Sequence, residues 1–216
     1  PVKYYRLRSC GRPIRAVLLA SMLTLATSCV SAPAWTELFD GKSLQGWTTT
    51  EFGGEGKVSV SKGQLILGQG WSLTGITWTG DRLPGFGYEV EVNGCKLLGH
   101  DFFAAITFPV GEEFCSLVLG GWGGDVVGIS SIDGMDADSN ATRCLVEFTK
   151  NQFYNIRIQV TEAAVTAWID NKQILTHPVP DYEFSVRGEV TPCEPFGIAS
   201  YETESAFTRI RWRPLQ

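Results

Sequence analysis

From residue 58 onward the chain repeats one pattern: short runs in which apolar and polar residues alternate, each closed by Gly, Asn, Asp or Pro. Alternation at period two puts one row of side chains on each face of a strand. "KVSVSKGQLILG" reads as a hairpin turning at Ser61-Lys62-Gly63, with Val58 and Val60 before the turn and Leu65 and Leu67 after it. "FGYEVEVNG" puts Tyr88, Val90 and Val92 on one face and Glu89 and Glu91 on the other. "YNIRIQV" does the same with Tyr154, Ile156, Ile158 and Val160 against Asn155, Arg157 and Gln159. "AVTAWIDNKQIL" follows as a second hairpin, turning at Asp170-Asn171-Lys172. "FFAAITFPV" is apolar at nearly every position and predicts a strand covered on both sides. No segment after residue 35 carries the apolar stripe at spacings of three and four that a helix needs. Many short strands around a single core predict a β-sandwich or barrel; the sandwich is favoured, with a curved sheet able to hold an extended sugar chain.

The first 34 residues stand apart. A basic stretch, "KYYRLRSCGRPIR", precedes the apolar "AVLLASMLTLAT" and the small-residue "SCVSAPA". This is the three-part plan of an export signal, too short to span a bilayer. Ala32-Pro33-Ala34 suits an ordinary signal peptidase. Ala26-Thr27-Ser28-Cys29 loosely resembles a lipobox, which would place a lipid on Cys29 and attach the protein to a membrane. The expected destination is exported: periplasmic, secreted or lipid-anchored.

Excluding that segment changes the charge. Five of the 18 Lys and Arg residues fall before residue 35 and none of the 23 acids does, so the body is strongly acidic. An acidic body argues against nucleic acid as a partner. Export also sets the cysteine reading: Cys95, Cys115, Cys144 and Cys193 form up to two disulfides or remain buried free thiols. Their wide spacing, without C-x-x-C, excludes a zinc site of the usual kind.

The candidate chemistry begins at "SLVLGGWGGDVVGISSIDG", where Gly120, Gly121, Gly123, Gly124 and Gly128 surround Trp122 and Asp125. A phosphate cradle needs Lys-Ser/Thr and a helix start after its glycines; here Asp125-Val126-Val127 follows. Two readings remain open. The glycines serve bulges and close backbone packing, or they clear the faces of Trp122 so that a sugar ring can stack. Trp168 is a second candidate stacking surface.

Downstream, "DGMDADSNATRCLVE" places Asp136, Asp138, Asn140 and Glu147 at positions 1, 3, 5 and 12 of a calcium-type loop. Ala141 replaces the turn glycine and no helices flank the loop, so the expectation is a loosely similar site for a divalent cation such as calcium, an acidic surface loop, or a substrate-facing rim. "FSVRGEV" alternates Ser185, Arg187 and Glu189 against Val186 and Val190. The charged row is either a solvated face or the lining of a cleft, with Arg187 pairing with Glu189 or orienting a substrate oxygen. Glycosidic chemistry commonly uses two carboxyl groups, and Glu189 with Asp133 or Asp136 is the best pair. His100-Asp101 is a lesser candidate for base or ligand, and His177, beside Pro178, reads as solvated. Neither histidine sits in a Ser-His-Asp order.

The start of the body, "WTELFDGKSLQGW", resembles the 3-keto-disaccharide hydrolase family of exported bacterial proteins. "VSVSKGQLIL", "YNIRIQV…AVTAWIDNKQIL" and "GIASYETESAFTRIRWRPL" extend the similarity from residue 35 to the end. The resemblance implies one concanavalin A-like jelly-roll domain over residues 35–216, a carbohydrate substrate, and hydrolysis of 3-keto-disaccharides or related glycosides. It also implies simpler chemistry: a ketone at C3 acidifies the C2 proton, so one base with an acid or cation could suffice. The middle of the chain departs from the family, where an Asn-Ser-Gly and a Tyr-Glu-x-Gln stretch are usual, and the E-x-D-x-x-E strand of family 16 glycosidases is absent. The two other functions compatible with the residues are a non-catalytic carbohydrate-binding module and a structural or adhesive envelope protein.

Overall fold

A computed structural model describes residues 33–216; the proposed export signal and Cys29 lie outside the described residues. Among these residues there are fifteen strands and one 3-10 helix. The strands make two antiparallel sheets packed face to face, the all-β sandwich that the alternation predicts.

The first sheet contains β3 (Val58–Ser61), β4 (Gln64–Leu67), β6 (Tyr88–Gly99), β11 (Tyr154–Val160), β12 (Ala164–Ile169), β13 (Lys172–Pro178) and β15 (Thr203–Pro214), with β1 (Thr36–Glu37) on β15. Its order is β13-β12-β11-β6-β15-β4-β3. The second contains β2 (Trp47–Thr49), β5 (Leu73–Trp78), β7 (Ala104–Val110), β8 (Glu113–Gly121), β9 (Val126–Ser130), β10 (Cys144–Leu145) and β14 (Gly197–Tyr201), ordered β10-β9-β8-β7-β14-β5-β2. Sequence neighbours split between sheets at Tyr201-Glu202-Thr203, where β14 hands the chain to β15.

The core lies between the sheets. Tyr88, Val90, Val92, Ile156 and Ile158 face Ile106, Phe108, Leu117, Leu119, Ile129 and Ile198. Both anticipated hairpins form, and their turns have the left-handed backbone that tight hairpins need: Lys62 and Gly63 at φ 51° and 78°, Asp170 and Asn171 at 48° and 66°. β7 is buried along its whole length, as its unbroken apolar run requires.

The opening segment is a structural lock. The Asp40 carboxylate accepts hydrogen bonds from the Lys42 and Ser43 amides and the Ser43 hydroxyl, each at 2.8 Å. These bonds, the Lys42 amide first, hold its pKa below the usual carboxylate value. Trp47 donates from its indole to the Leu38 carbonyl at 2.7 Å and meets Trp78 edge-on. Gly46 has φ 78°, and a Cβ there would sit 2.5 Å from the Trp78 ring.

Glu89 and Glu91 face away from the core, yet both are buried. They lie under a lattice of arginines on the outer face of the first sheet. Glu89 pairs with Arg157 at 3.1 Å and with Arg213; Glu91 pairs with Arg211 at 2.7 Å and Arg209 at 3.4 Å. Trp168 belongs to this face, with the Arg157 guanidinium 3.8 Å over its ring.

All four cysteines of the body are free thiols, and the disulfide alternative does not form. Burial pushes the thiol of Cys95 up to about 11 and that of Cys193 up to about 12. Such thiols are poor nucleophiles at neutral pH. Iodoacetamide without reductant should therefore label all four only after unfolding. In the native protein the half-exposed Cys144 should react first. Peptide mass mapping checks both.

Candidate functional site

A cleft of about 230 Å³ opens on the outer face of the second sheet. Its floor is made by the side chains that alternation turns away from the core: Leu73 on β5, Ala105 on β7, Ser116 and Val118 on β8, and Ser130 on β9. Several are small, which lowers the floor. Thr107 and Ser116 satisfy each other at 2.8 Å.

Two irregular segments raise the walls. One is the loop from Ser131 to Arg143. Ala137 packs on Ala105 and Val118. The Asn140 side-chain amide donates to the carbonyls of Ile129 at 2.7 Å and Met135 at 2.9 Å. Its oxygen accepts from the Thr142 amide and hydroxyl at 2.9 and 2.6 Å. The other wall is the 3-10 helix Gly188–Cys193, whose Val190 and Cys193 pack on Leu73 and Ala199. This corrects the strand expected over Phe184–Val190. Pro192 has no amide to give a ladder, and its fixed φ suits a 3-10 turn.

The helix still brings the predicted pair together. Arg187 Nε donates to Glu189 Oε1 at 2.7 Å, and its Nη1 meets Asp136 Oδ2 at 3.0 Å. Asp136 is itself gripped by the hydroxyls of Ser130 and Ser131 at 3.1 and 2.8 Å. The chain Ser130/Ser131–Asp136–Arg187–Glu189 thus crosses from one wall to the other. Arg187 also lies 5.7 Å over the Trp122 ring.

Trp122 stands at the rim, 37% exposed, in a left-handed turn at φ 48°. Asp101 pins that turn: its Oδ2 accepts the Gly123 amide at 3.3 Å and its Oδ1 the Phe102 amide at 2.8 Å. Beneath it lies Lys96, buried on the inward row of β6, its pKa lowered by burial and partly restored by Asp101.

The glycines divide between the two readings left open above. A Cβ on Gly120 would sit 3.0 Å from the Gly124 carbonyl and 3.4 Å from Lys96 Nζ; one on Gly124 would meet the His100 carbonyl at 2.7 Å. Those two serve close packing. Gly123 faces open space and leaves the indole clear. Gly124→Ala, at φ 115° and against backbone, should cost about 2 kcal/mol. Gly123→Ala, at φ 99° but unobstructed, should cost less. Thermal melts of the two variants check the order.

The structure brings Glu189, Asp136, Arg187 and Trp122 together and separates the other predicted residues from them. Asp133 is exposed in a left-handed turn and caps the Glu183 amide at 2.9 Å, holding the wall loop rather than facing the cleft. Asp125 is exposed outside the cleft lining. Trp168 is on the other sheet, because it alternates with buried Val165, Ala167 and Ile169. The calcium set does not assemble: Asn140 spends its side chain on the backbone, Asp136 faces Arg187, and Asp138 holds the Ser139 hydroxyl at 2.7 Å. Glu147 is exposed after the short β10. Among the described residues no group of three or more His, Cys, Asp or Glu lies together as a metal site would need.

Sequence reasoning missed Tyr201, Phe102 and the role of Asp101. Tyr201 and Phe102 stack at 5.9 Å and close one side of the cleft. The small outward residues Ala105 and Ser116, diagonal to each other on the paired strands β7 and β8, were the available signal for a recessed floor.

The two sheets define an all-β jelly-roll sandwich. The chain belongs to the family described as the 3-keto-alpha-glucoside-1,2-lyase-like domain, whose sequence pattern matches residues 34–213. Solved structures share the fold at low identity. Apo Crh5 transglycosylase is 15% identical, with a TM-score of 0.58 over 86% of this chain and 85% of that one. The potassium-bound carbohydrate recognition domain of Emp46p is 13% identical, with a TM-score of 0.56 over 84% and 96%. A structure described with endo-acting O-glycanases of the human gut microbiota is 15% identical, with a TM-score of 0.54 over 86% and 100%. No curated protein matches the sequence.

Proposed function

We propose that the cleft binds a glycoside oxidised at C3 and cleaves it by elimination across C1 and C2. The observation that carries this reading is the meeting of Trp122, Arg187 and Glu189 around one recessed floor. A pyranose ring stacks its C–H face on the indole, while the Asp101 carboxylate at the cleft lining offers an acceptor to its hydroxyls.

Glu189 is the base. One of its oxygens is held by Arg187 at 2.7 Å, which orients the carboxylate, and about half of the side chain is exposed. It takes the C2 proton, and the C–H electrons form an enolate on the C3 oxygen. Collapse of the enolate restores the C3 ketone, makes the C1=C2 bond and expels the C1 oxygen, which leaves as an alcohol on taking a proton from water. Water added across that bond completes a net hydrolysis. Arg187 supplies positive charge near the enolate. Asp136 is a positioning residue, since it acts by holding Arg187.

The test is release of glucose from 3-keto-trehalose and from trehalose. Release from the keto form alone, lost in Glu189→Gln, supports the reading. Turnover of trehalose at an equal rate, or full activity in Glu189→Gln, contradicts it. The second reading, a binding module, is favoured by the exposed ring of Trp122. It predicts sugar binding that Trp122→Ala abolishes, with no release from either sugar.

A further inference from the structure

The cleft does not end at Glu189. A second depression shares Leu73, Glu189 and Tyr201 with it and continues to Glu51, Phe52 and Pro192. Next in sequence to its lining residues Ser72 and Tyr201, Trp71 and Glu202 frame a third hollow with Gln69.

Trp71 is 92% exposed, far more than Trp122. Its indole is uncovered although its backbone is fixed. The Trp71 amide donates to the Gly54 carbonyl at 2.9 Å. The segment carrying Gly54 is wound around the Glu55 carboxylate, which accepts the amides of Phe52, Gly53 and Gly54 at 3.2, 2.8 and 3.0 Å. Gly70 fits so closely that a Cβ there would lie 2.7 Å from the Gly54 carbonyl. On the other side Gln69 donates to the Glu202 carbonyl at 3.1 Å, and the Glu202 amide donates to Ser72 at 2.9 Å. The pinned loop holds the indole face in water beside the Glu202 side of the hollow. A sugar ring stacked on it would take that apolar face out of water.

We infer that Trp71 is a distal sugar subsite, and that the natural ligand is a neutral oligosaccharide longer than two residues. This rests on the reading of the cleft given above and extends it to substrate length. The reacting ring lies between Trp122 and Glu189, the chain passes over Phe52 and Pro192, and a later ring stacks on Trp71. Glu51, Glu189 and Glu202 line this path; carboxylates accept hydrogen bonds from sugar hydroxyls and repel uronic acids and sulfated glycans.

Calorimetric titration with malto-, cello- and laminari-oligosaccharides of two to six residues tests it, using wild type, Trp71→Ala and Trp122→Ala. In one series affinity should rise with length. Trp71→Ala should lose about tenfold on the longer members, the effect of one stacked ring, and nothing on the disaccharide. Affinity independent of length, or Trp71→Ala equal to wild type at every length, overturns the subsite. If Trp122→Ala still abolishes binding in that case, the cleft reading stands without it. Absence of binding to all three series also overturns the subsite, while the 3-keto-trehalose assay decides the cleft separately. A Trp71→Ala change in sedimentation mass, with sugar binding unaltered, would assign Trp71 to a protein contact instead.

Discussion

Glu189→Gln should lower turnover of 3-keto-trehalose by at least about 100-fold, the usual contribution of a positioned general base. KM should change little, because glutamine keeps the size and can still accept a hydrogen bond from Arg187 Nε. The contrast with Asp136→Asn separates the two carboxylates. Asp136 reaches the cleft through Arg187 and Ser130 rather than lining it, and the Ser130 and Ser131 hydroxyls can still donate to an asparagine oxygen. Its loss should be smaller and shared between kcat and KM. Steady-state kinetics on the three proteins measures this. Equal losses at both positions would contradict the assignment of Asp136 as a positioning residue.

The largest effect on stability should come from Glu89→Ala, remote from the cleft. The Glu89 side chain is 2% exposed and takes Arg157 and Arg213 as partners, themselves about a quarter exposed. Removing the carboxylate leaves two arginines facing each other across β6, beside the Arg209 and Arg211 already paired to Glu91. Breaking a buried pair from one side costs about 3–5 kcal/mol. For a domain of this size that is roughly 6–20 °C in Tm. Glu89→Gln keeps the shape and an acceptor and should recover part of the loss. Thermal melts at low and high salt check both; a drop under about 1 kcal/mol would mean that the lattice behaves as a surface ion pair. Activity of the folded variant should match wild type, since none of this network touches the cleft.

The sequence was most legible where a single rule governs a segment. The rows of β6, β11 and β12 follow from period-two alternation, and the two hairpin turns from Lys-Gly and Asp-Asn pairs that tolerate positive φ. Alternation also assigned Glu89 and Glu91 to the outer face. It could not show that they are buried, because that depends on arginines from β11 and β15 placed by the sheet order. The same limit explains the site. Arg187 and Glu189 were visible as neighbours in sequence, and they remain neighbours although the expected strand is a 3-10 turn. Asp136 was visible as an acid, with a cation site and a pairing with Glu189 both open, since only the fold sets Arg187 against it. Asp101 and Tyr201 lie 100 residues apart in sequence and meet through the pairing of β7 with β14. No spacing rule reports such a meeting.

The central claim is that this cleft removes the C2 proton of a 3-keto sugar. The most direct measurement is the reaction of 3-keto-trehalose in D2O, followed by NMR and mass spectrometry of the released 3-keto-glucose. Elimination followed by water addition predicts one solvent deuterium at C2 of that product, acquired with wild type and not with Glu189→Gln. Release of glucose with the original C2 hydrogen retained would contradict it, and would mean that any cleavage at this cleft proceeds by direct displacement at C1.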